Sequence, residues 1–201
     1  MNFQKLAIAG TVLLGISTSA SADVTIYGQQ TEKQEKREYS LGVYGYGQSL
    51  LGDDSLDNIV GYGVTGTATI MPLGNADFLV KGSYGLFDVR SNDALEGTAY
   101  DIALLWGSGL RDAGMFWYVG PGYFNESWDT PYLVDDGSGS YIQKTESQSV
   151  SSWLVTGGLG YNWKYLGAEV RLSYKNGSEY QPPLNNIDGS ISVGVAISYR
   201  F

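Results

Sequence analysis

The chain has 201 residues, among them 28 Gly and 16 Tyr but no Cys and no His, and 12 Lys and Arg stand against 21 Asp and Glu for a formal net charge of -9. Without cysteine there are no disulfides, thiolate metal sites or thiol nucleophiles, and without histidine there is no His-based triad and the commonest general base is missing. So acidic a chain is unsuited to nucleic acid, whose binding rests on neutralising phosphates.

Residues 1–22 read as a secretory signal. Lys5 precedes a mostly apolar run from Leu6 to Ile16, and Ala20-Ser21-Ala22 forms an A-x-A cleavage site before Asp23. The run is too short to span a bilayer as a helix. Cleavage after Ala22 is expected to leave a polar periplasmic segment, residues 23–38. Its stretch from Thr31 to Glu38 carries charges of both signs and no apolar stripe.

From Tyr39 onward the dominant period is two. In chain order, strand-like segments fall at 39–49, at 60–70, at 78–86, at 100–106, at 114–124 and at 153–162, followed by 166–175 and 190–201. The last is the cleanest: Ile191, Val193, Val195, Ile197, Tyr199 and Phe201 share one face, opposite Ser190, Ser192, Gly194, Ala196, Ser198 and Arg200. The segments at 39–49 and 114–124 are less regular, and Gly120-Pro121-Gly122 in the second predicts a bulge or kink. Short connections alternate with long ones of about 9, 9, 26 and 14 residues, the longest over about 125–150, and this alternation matches the turns and loops of a transmembrane barrel.

Three features favour a barrel with its apolar face outward over a sandwich with that face inward. Strands of about 10 residues suit a tilted crossing of the hydrocarbon layer. The opposite faces carry Gly, Ser and Thr with an occasional charge, as a narrow lumen requires. If the first strand runs outward, Phe78, Trp106, Trp117, Trp163, Tyr199 and Phe201 fall at the periplasmic rim, with Tyr62, Tyr84, Tyr100, Tyr123, Trp153 and Tyr174 near the outer one. These are two aromatic girdles. The expected fold is all-β: an eight-stranded antiparallel transmembrane β-barrel over residues 39–201, with short periplasmic turns and longer extracellular loops.

The terminal Tyr199-Arg200-Phe201, with Ile197, Val195 and Val193 spaced by two behind it, resembles the small eight-stranded bacterial outer-membrane barrels of the OmpA and OmpX type. The resemblance implies residence in the outer membrane among phospholipid and lipopolysaccharide. It also implies that Ile197, Tyr199 and Phe201 form the signal read by the barrel-assembly machinery. Enzymatic barrels of this membrane, such as lipid A acyltransferases, deacylases, omptin-type proteases and phospholipase, lean on a catalytic histidine. No position here can take that role, and a serine without a base is an ordinary hydroxyl. No catalytic residue, metal site or cofactor is expected.

Four charges face the expected lumen. Lys81 and Asp101 lie at similar depth on adjacent strands and are expected to face each other, while Glu169 and Arg171 are two apart on the seventh. They predict an ion-pair network filling the interior or, alternatively, a gate. Asp53, Asp54, Glu126, Asp135, Asp136 and other acids outnumber Arg90, Lys144 and Lys175 in the outer loops. Trp128, Tyr132 and Tyr141 in the third loop are candidate contacts for an unidentified extracellular ligand. The expected function is a non-enzymatic structural or surface-interaction barrel. The alternatives are a narrow porin-like channel for ions or small solutes and a soluble exported β-sandwich.

Overall fold

The computed structural model describes residues 36–52, 59–73, 76–89, 92–135, 141–177 and 187–201. The signal at 1–22 and most of the polar segment at 23–38 lie outside the described residues. Eight strands follow in chain order: β1 (Tyr39–Gly52), β2 (Ile59–Leu73), β3 (Ala76–Val89), β4 (Asn92–Ser108), β5 (Gly114–Asp135), β6 (Tyr141–Asn162), β7 (Leu166–Asn176) and β8 (Ile187–Arg200). Each pairs antiparallel with the next, and β1 pairs with β8, so the sheet closes into a barrel.

The period of two sorts the side chains. Leu41 and Val43 point out of β1, as do Ile102, Leu104 and Trp106 from β4 and Val193, Val195 and Ile197 from β8. The intervening positions, Tyr44, Tyr46, Gln48, Ala103, Leu105, Ser192 and Ala196, are buried inside. The soluble-sandwich alternative is thereby corrected: one closed sheet has no second sheet to cover its apolar face, and that face is the outer one.

Aromatic residues gather at both edges of the outer face. At the end carrying the short turns, Trp106 packs edge-on against Trp117, Tyr161 lies against Trp163, and Tyr165 stacks on Tyr199. At the other end Trp153 lies against Tyr174.

Two expectations change. The segment around Gly120-Pro121-Gly122 makes no bulge. β5 pairs with β6 without a break, and its register with β4 is the same on either side of Gly122 and Val119. Only the ladder to β4 is interrupted there, where Pro121 has no N–H to give. A Cβ at Gly120 would run into the Leu104 carbonyl, so glycine is what lets the two backbones approach. The long third loop also contracts: β5 and β6 are 22 residues each and pair as far as Asp135 opposite Tyr141, so most of 125–150 is strand.

Candidate functional site

The interior is built in layers from inward positions of all eight strands. Lys81 on β3 and Glu169 on β7 form an ion pair across the lumen, and Lys81 also lies 5.2 Å from the ring centre of Tyr118. Arg171 grips Asp101 with both ends of its guanidinium, at 3.2 Å from Nη1 and 3.1 Å from Nη2. Its Nη1 donates also to Ser83 Oγ at 2.9 Å, and Arg171 sits 5.4 Å from the Tyr44 ring. The four lumen charges read from the sequence therefore do meet, but with other partners. Lys81 was expected opposite Asp101; it pairs in register with Ala103, while Asp101 lies opposite Ser83. The cause is a register shift at Asp88/Val89, where β4 takes extra residues between Asn92 and Glu96.

A second polar layer lies nearer the outer end. Lys175 Nζ donates to Glu126 Oε1 at 2.6 Å and to Gln48 Oε1 at 2.7 Å, and Gln48 Nε2 donates to Glu126 Oε1 at 3.1 Å. Lys175 also lies 5.4 Å from the Phe124 ring and 5.7 Å from that of Tyr46. Glu126 and Lys175, expected among the outer-loop charges, are lumen residues. Their parity carried the signal: Lys175 follows Glu169, Arg171 and Ser173 on one face, and Glu126 follows Phe124.

Apolar side chains close the outer mouth above this layer. Leu50, Ile59, Phe87, Val89, Trp128, Val150 and Ile187 belong to one buried cluster. Trp128 is therefore not an exposed loop contact. It is 2% exposed and packs edge-on against Phe87 at 4.8 Å, because the alternation of β5 continues through Phe124 and Glu126 to put it inside. Tyr132 lies on β5 opposite Lys144, and Tyr141 opens β6 with an exposed ring.

At the periplasmic end a turn forms a floor. Between β4 and β5 the chain from Gly109 to Ala113 lies under the lumen. Leu110 packs against the inner cluster of Leu79, Ala103, Leu105, Phe116 and Tyr118. Buried Arg111 binds Asp77 on β3 at 2.6 Å. Asn162 Nδ2 on β6 donates to Gly109 O at 3.3 Å and to Leu110 O at 3.1 Å. Arg200 on β8 donates to Leu110 O at 3.1 Å and to Trp163 O at 2.8 Å. The Arg37 amide donates to Arg111 O at 3.0 Å. Sequence reasoning missed this floor, although Asn162 and Arg200 had inward parity.

Among the described residues, side chains occupy the interior between the floor and the apolar cluster near the mouth. A void of about 10 Å³ bounded by Tyr44, Thr65, Lys81, Glu169 and Arg171 has room for one water. Among the described residues no group of three or more acidic side chains converges as a metal site. Hydroxyls inside serve as partners for one another, Thr65 with Ser83 at 3.3 Å and Thr156 with Ser173 at 2.7 Å.

The residues expected to carry the assembly signal, Ile197, Tyr199 and Phe201, all face outward and are exposed. Phe201 and Tyr39 exchange backbone hydrogen bonds of 3.0 and 3.2 Å at the seam.

No family model and no curated protein sequence matches the chain. Solved structures do. The attachment invasion locus protein Ail of Yersinia pestis, solved in complex with the heparin analogue sucrose octasulfate, is 14% identical over 83% of this chain and 99% of its own, with a TM-score of 0.52. Neisserial surface protein A is 11% identical over 81% of this chain and 97% of its own, also at 0.52. At such identities the likeness is one of fold. A closed barrel of eight antiparallel strands, apolar outside and charged within, has the fold of the small bacterial outer-membrane barrels of the OmpA and OmpX type.

Proposed function

We propose that this protein is a non-enzymatic surface protein of the outer membrane that recognises an extracellular partner through the projecting ends of β5 and β6. Export by a signal peptide cleaved after Ala22, with 23–38 as a periplasmic lead-in to the barrel, belongs to the same proposal.

One observation carries it. β5 pairs with β4 only as far as Asp129, and β6 pairs with β7 only from Leu154, yet β5 and β6 pair with each other to Asp135 and Tyr141. A two-stranded ribbon therefore continues past its neighbours, by about 20 Å for six residues at the usual rise per residue. Among the described residues no strand pairs with the outer edges of this ribbon, and such edges are the grip used when a partner adds a strand. Tyr141 and Ile142 supply exposed apolar contacts at its tip. Ail binds a heparin analogue; here Glu146, Asp188 and Glu96 are exposed on the outer side, and their charge favours a basic extended polypeptide over a polyanion.

Absence of enzymatic chemistry is supported by the lack of histidine and by the commitment of each lumen carboxylate to a cation. The test is to replace residues 131–145 by a tight Asn-Gly turn and measure adhesion of expressing cells to immobilised basic polypeptides at low and high salt. Folding is followed by the mobility difference between heated and unheated protein on a gel. Lost adhesion with retained folding supports the proposal, and unchanged adhesion ends it.

A further inference from the structure

We propose that the outward wall of β4, β5 and β6, just above the outer aromatic girdle, binds the saccharide headgroup of a glycolipid seated in the outer leaflet. The wall lies below the projecting part of the ribbon, and the proposal does not rest on what the ribbon recognises.

Register builds the site. Ile102, Tyr123 and Trp153 stand opposite one another on the three strands, exposed on the outer face. Two residues further out, Tyr100, Asn125 and Ser151 form the next row. Thr98, Ser127 and Ser149 follow, and then Glu96, Asp129 and Ser147. Alternation keeps all three rows on the outward face. Tyr100 apart, every side chain in them is an aliphatic hydroxyl, an amide or a carboxylate. Across the barrel, by contrast, outward apolar residues reach the strand ends, with Leu51 near the end of β1 and Val60 near the start of β2. The polar wall is one-sided.

Its side chains are held in place by one another. Asn125 Nδ2 donates to Ser149 Oγ at 2.9 Å and to Ser151 Oγ at 2.6 Å, and Ser147 Oγ donates to Asp129. A hydroxyl that accepts from Asn125 keeps its own proton to give, while carboxylate oxygens on Asp129 and Glu96 accept. So fixed an array loses little freedom when a ligand settles on it.

Size and charge select the ligand. From Asn125 to Asp129 the wall rises about 13 Å along the strand, or about 10 Å along the membrane normal at the usual tilt. The polar layer of a phospholipid leaflet is only about 5–7 Å deep. Glu96 stands in register between Asp88 and Asp129, and no Lys or Arg occupies the three rows, so a bare phosphate is repelled. Sugar hydroxyls both donate and accept, which matches the array, and Tyr100 and Trp153 offer exposed rings to the C–H face of a pyranose. The wall is continuous with the apolar belt, where Ile102, Leu104 and Val155 are exposed to receive the acyl chains of the same molecule.

Native mass spectrometry of the folded full-length protein tests this. The protein is released from detergent holding equal short-core lipopolysaccharide and phosphatidylethanolamine, whose ammonium would suit the carboxylates alone. EDTA is present throughout, so that no divalent cation bridges phosphates to Glu96 and Asp129. The wild type is expected to retain the lipopolysaccharide preferentially. Ser127→Val with Ser149→Val removes two hydroxyls from the middle of the wall and keeps residues that favour strands. It should lower the preference about tenfold, the scale of one to two lost hydrogen bonds. Ser127→Thr with Ser149→Thr keeps the hydroxyls and should keep the preference. Equal retention of the two lipids by the wild type overturns the proposal. A preference undiminished in the valine pair overturns it too, because the acyl chains and the girdle would then account for the binding. If the valine pair lacks the gel mobility of a folded barrel, the isosteric Thr98→Val decides, with an expected loss of about threefold.

Discussion

Arg200 on the last strand reaches back to Leu110, 90 positions earlier, with a hydrogen bond of 3.1 Å from Nη2 to the backbone oxygen. Asn162 supplies that same oxygen with a second donor. The residue between the two outward aromatics of the terminal signature thus points inward and seats the floor turn. Both closing strands end on this turn, β8 through Arg200 and the lead into β1 through the Arg37 amide. Replacing Arg200 with Leu should cost about 3–6 kcal/mol, the range for two hydrogen bonds from a charged donor, with Arg200→Lys milder. Urea unfolding after refolding in detergent, with no assembly machinery present, measures it. An unchanged midpoint would mean that Arg200 matters only to assembly in the cell.

The floor turn can be probed from its own side. Gly109 has φ +76°, and a Cβ there would press on the Met115 carbonyl. Gly109→Ala should destabilise by about 1–2 kcal/mol from the left-handed backbone alone, and more from the contact. Gly114→Ala is the comparison: its φ of +126° is also positive, but a Cβ there meets nothing within 4 Å. Loss of stability in Gly114→Ala therefore reads a backbone cost with no contact added to it.

Lys81 and Glu169 make the cleanest test of the filled lumen. Glu169→Gln leaves a buried ammonium without its carboxylate and should cost about 3–5 kcal/mol. The pair Lys81→Met with Glu169→Gln should recover most of that loss, because neither charge is then stranded. A double-mutant cycle by urea unfolding reads the coupling. Inserted into a planar bilayer, the wild-type protein is expected to be silent, since paired charges, aromatic rings and the floor occupy the path. Discrete current steps that change with Lys81→Met would restore the narrow-channel alternative.

Trp128 and Tyr141 separate stability from recognition. Trp128→Ala empties a packed position against Phe87 and should cost about 3–5 kcal/mol. Tyr141→Ala removes an exposed ring at the ribbon tip; it should leave the unfolding midpoint in place while weakening adhesion. If both variants unfold at the wild-type midpoint, the inward packing of Trp128 is wrong.

Where lipid is expected on one side and packed lumen on the other, the sequence was legible. β8 alternates Ile, Val, Val, Ile and Tyr with Ser, Gly and Ala, and its facing followed from that alone. Above Tyr123 and Trp153 the signal fades, because Asn125, Ser127 and Ser151 are polar on the outward face too. Their side chains bond along the sheet, as Asn125 Nδ2 does to Ser151 Oγ at 2.6 Å. A segment polar on its outer face reads as loop, so the upper halves of β5 and β6 went unseen. Lumen pairing was half legible. Parity gave the inward facing of Lys81, Asp101, Glu169 and Arg171, but a partner across the barrel depends on its circumference and on the bulge in β4, and neither appears in local spacing.

The hydrogen bonds between Tyr39 and Phe201 make the barrel a ring with no privileged starting strand. A short linker from Phe201 to Tyr39 with a new break between β1 and β2 would leave every strand pair available while moving Ile197, Tyr199 and Phe201 off the chain terminus, with β1 now following them. Such a permuted chain would separate what the barrel needs in order to be stable from what it needs in order to be delivered. It should refold in detergent as the natural order does, and its fate in a living cell would show whether the aromatic terminus acts as an address or only as a seam.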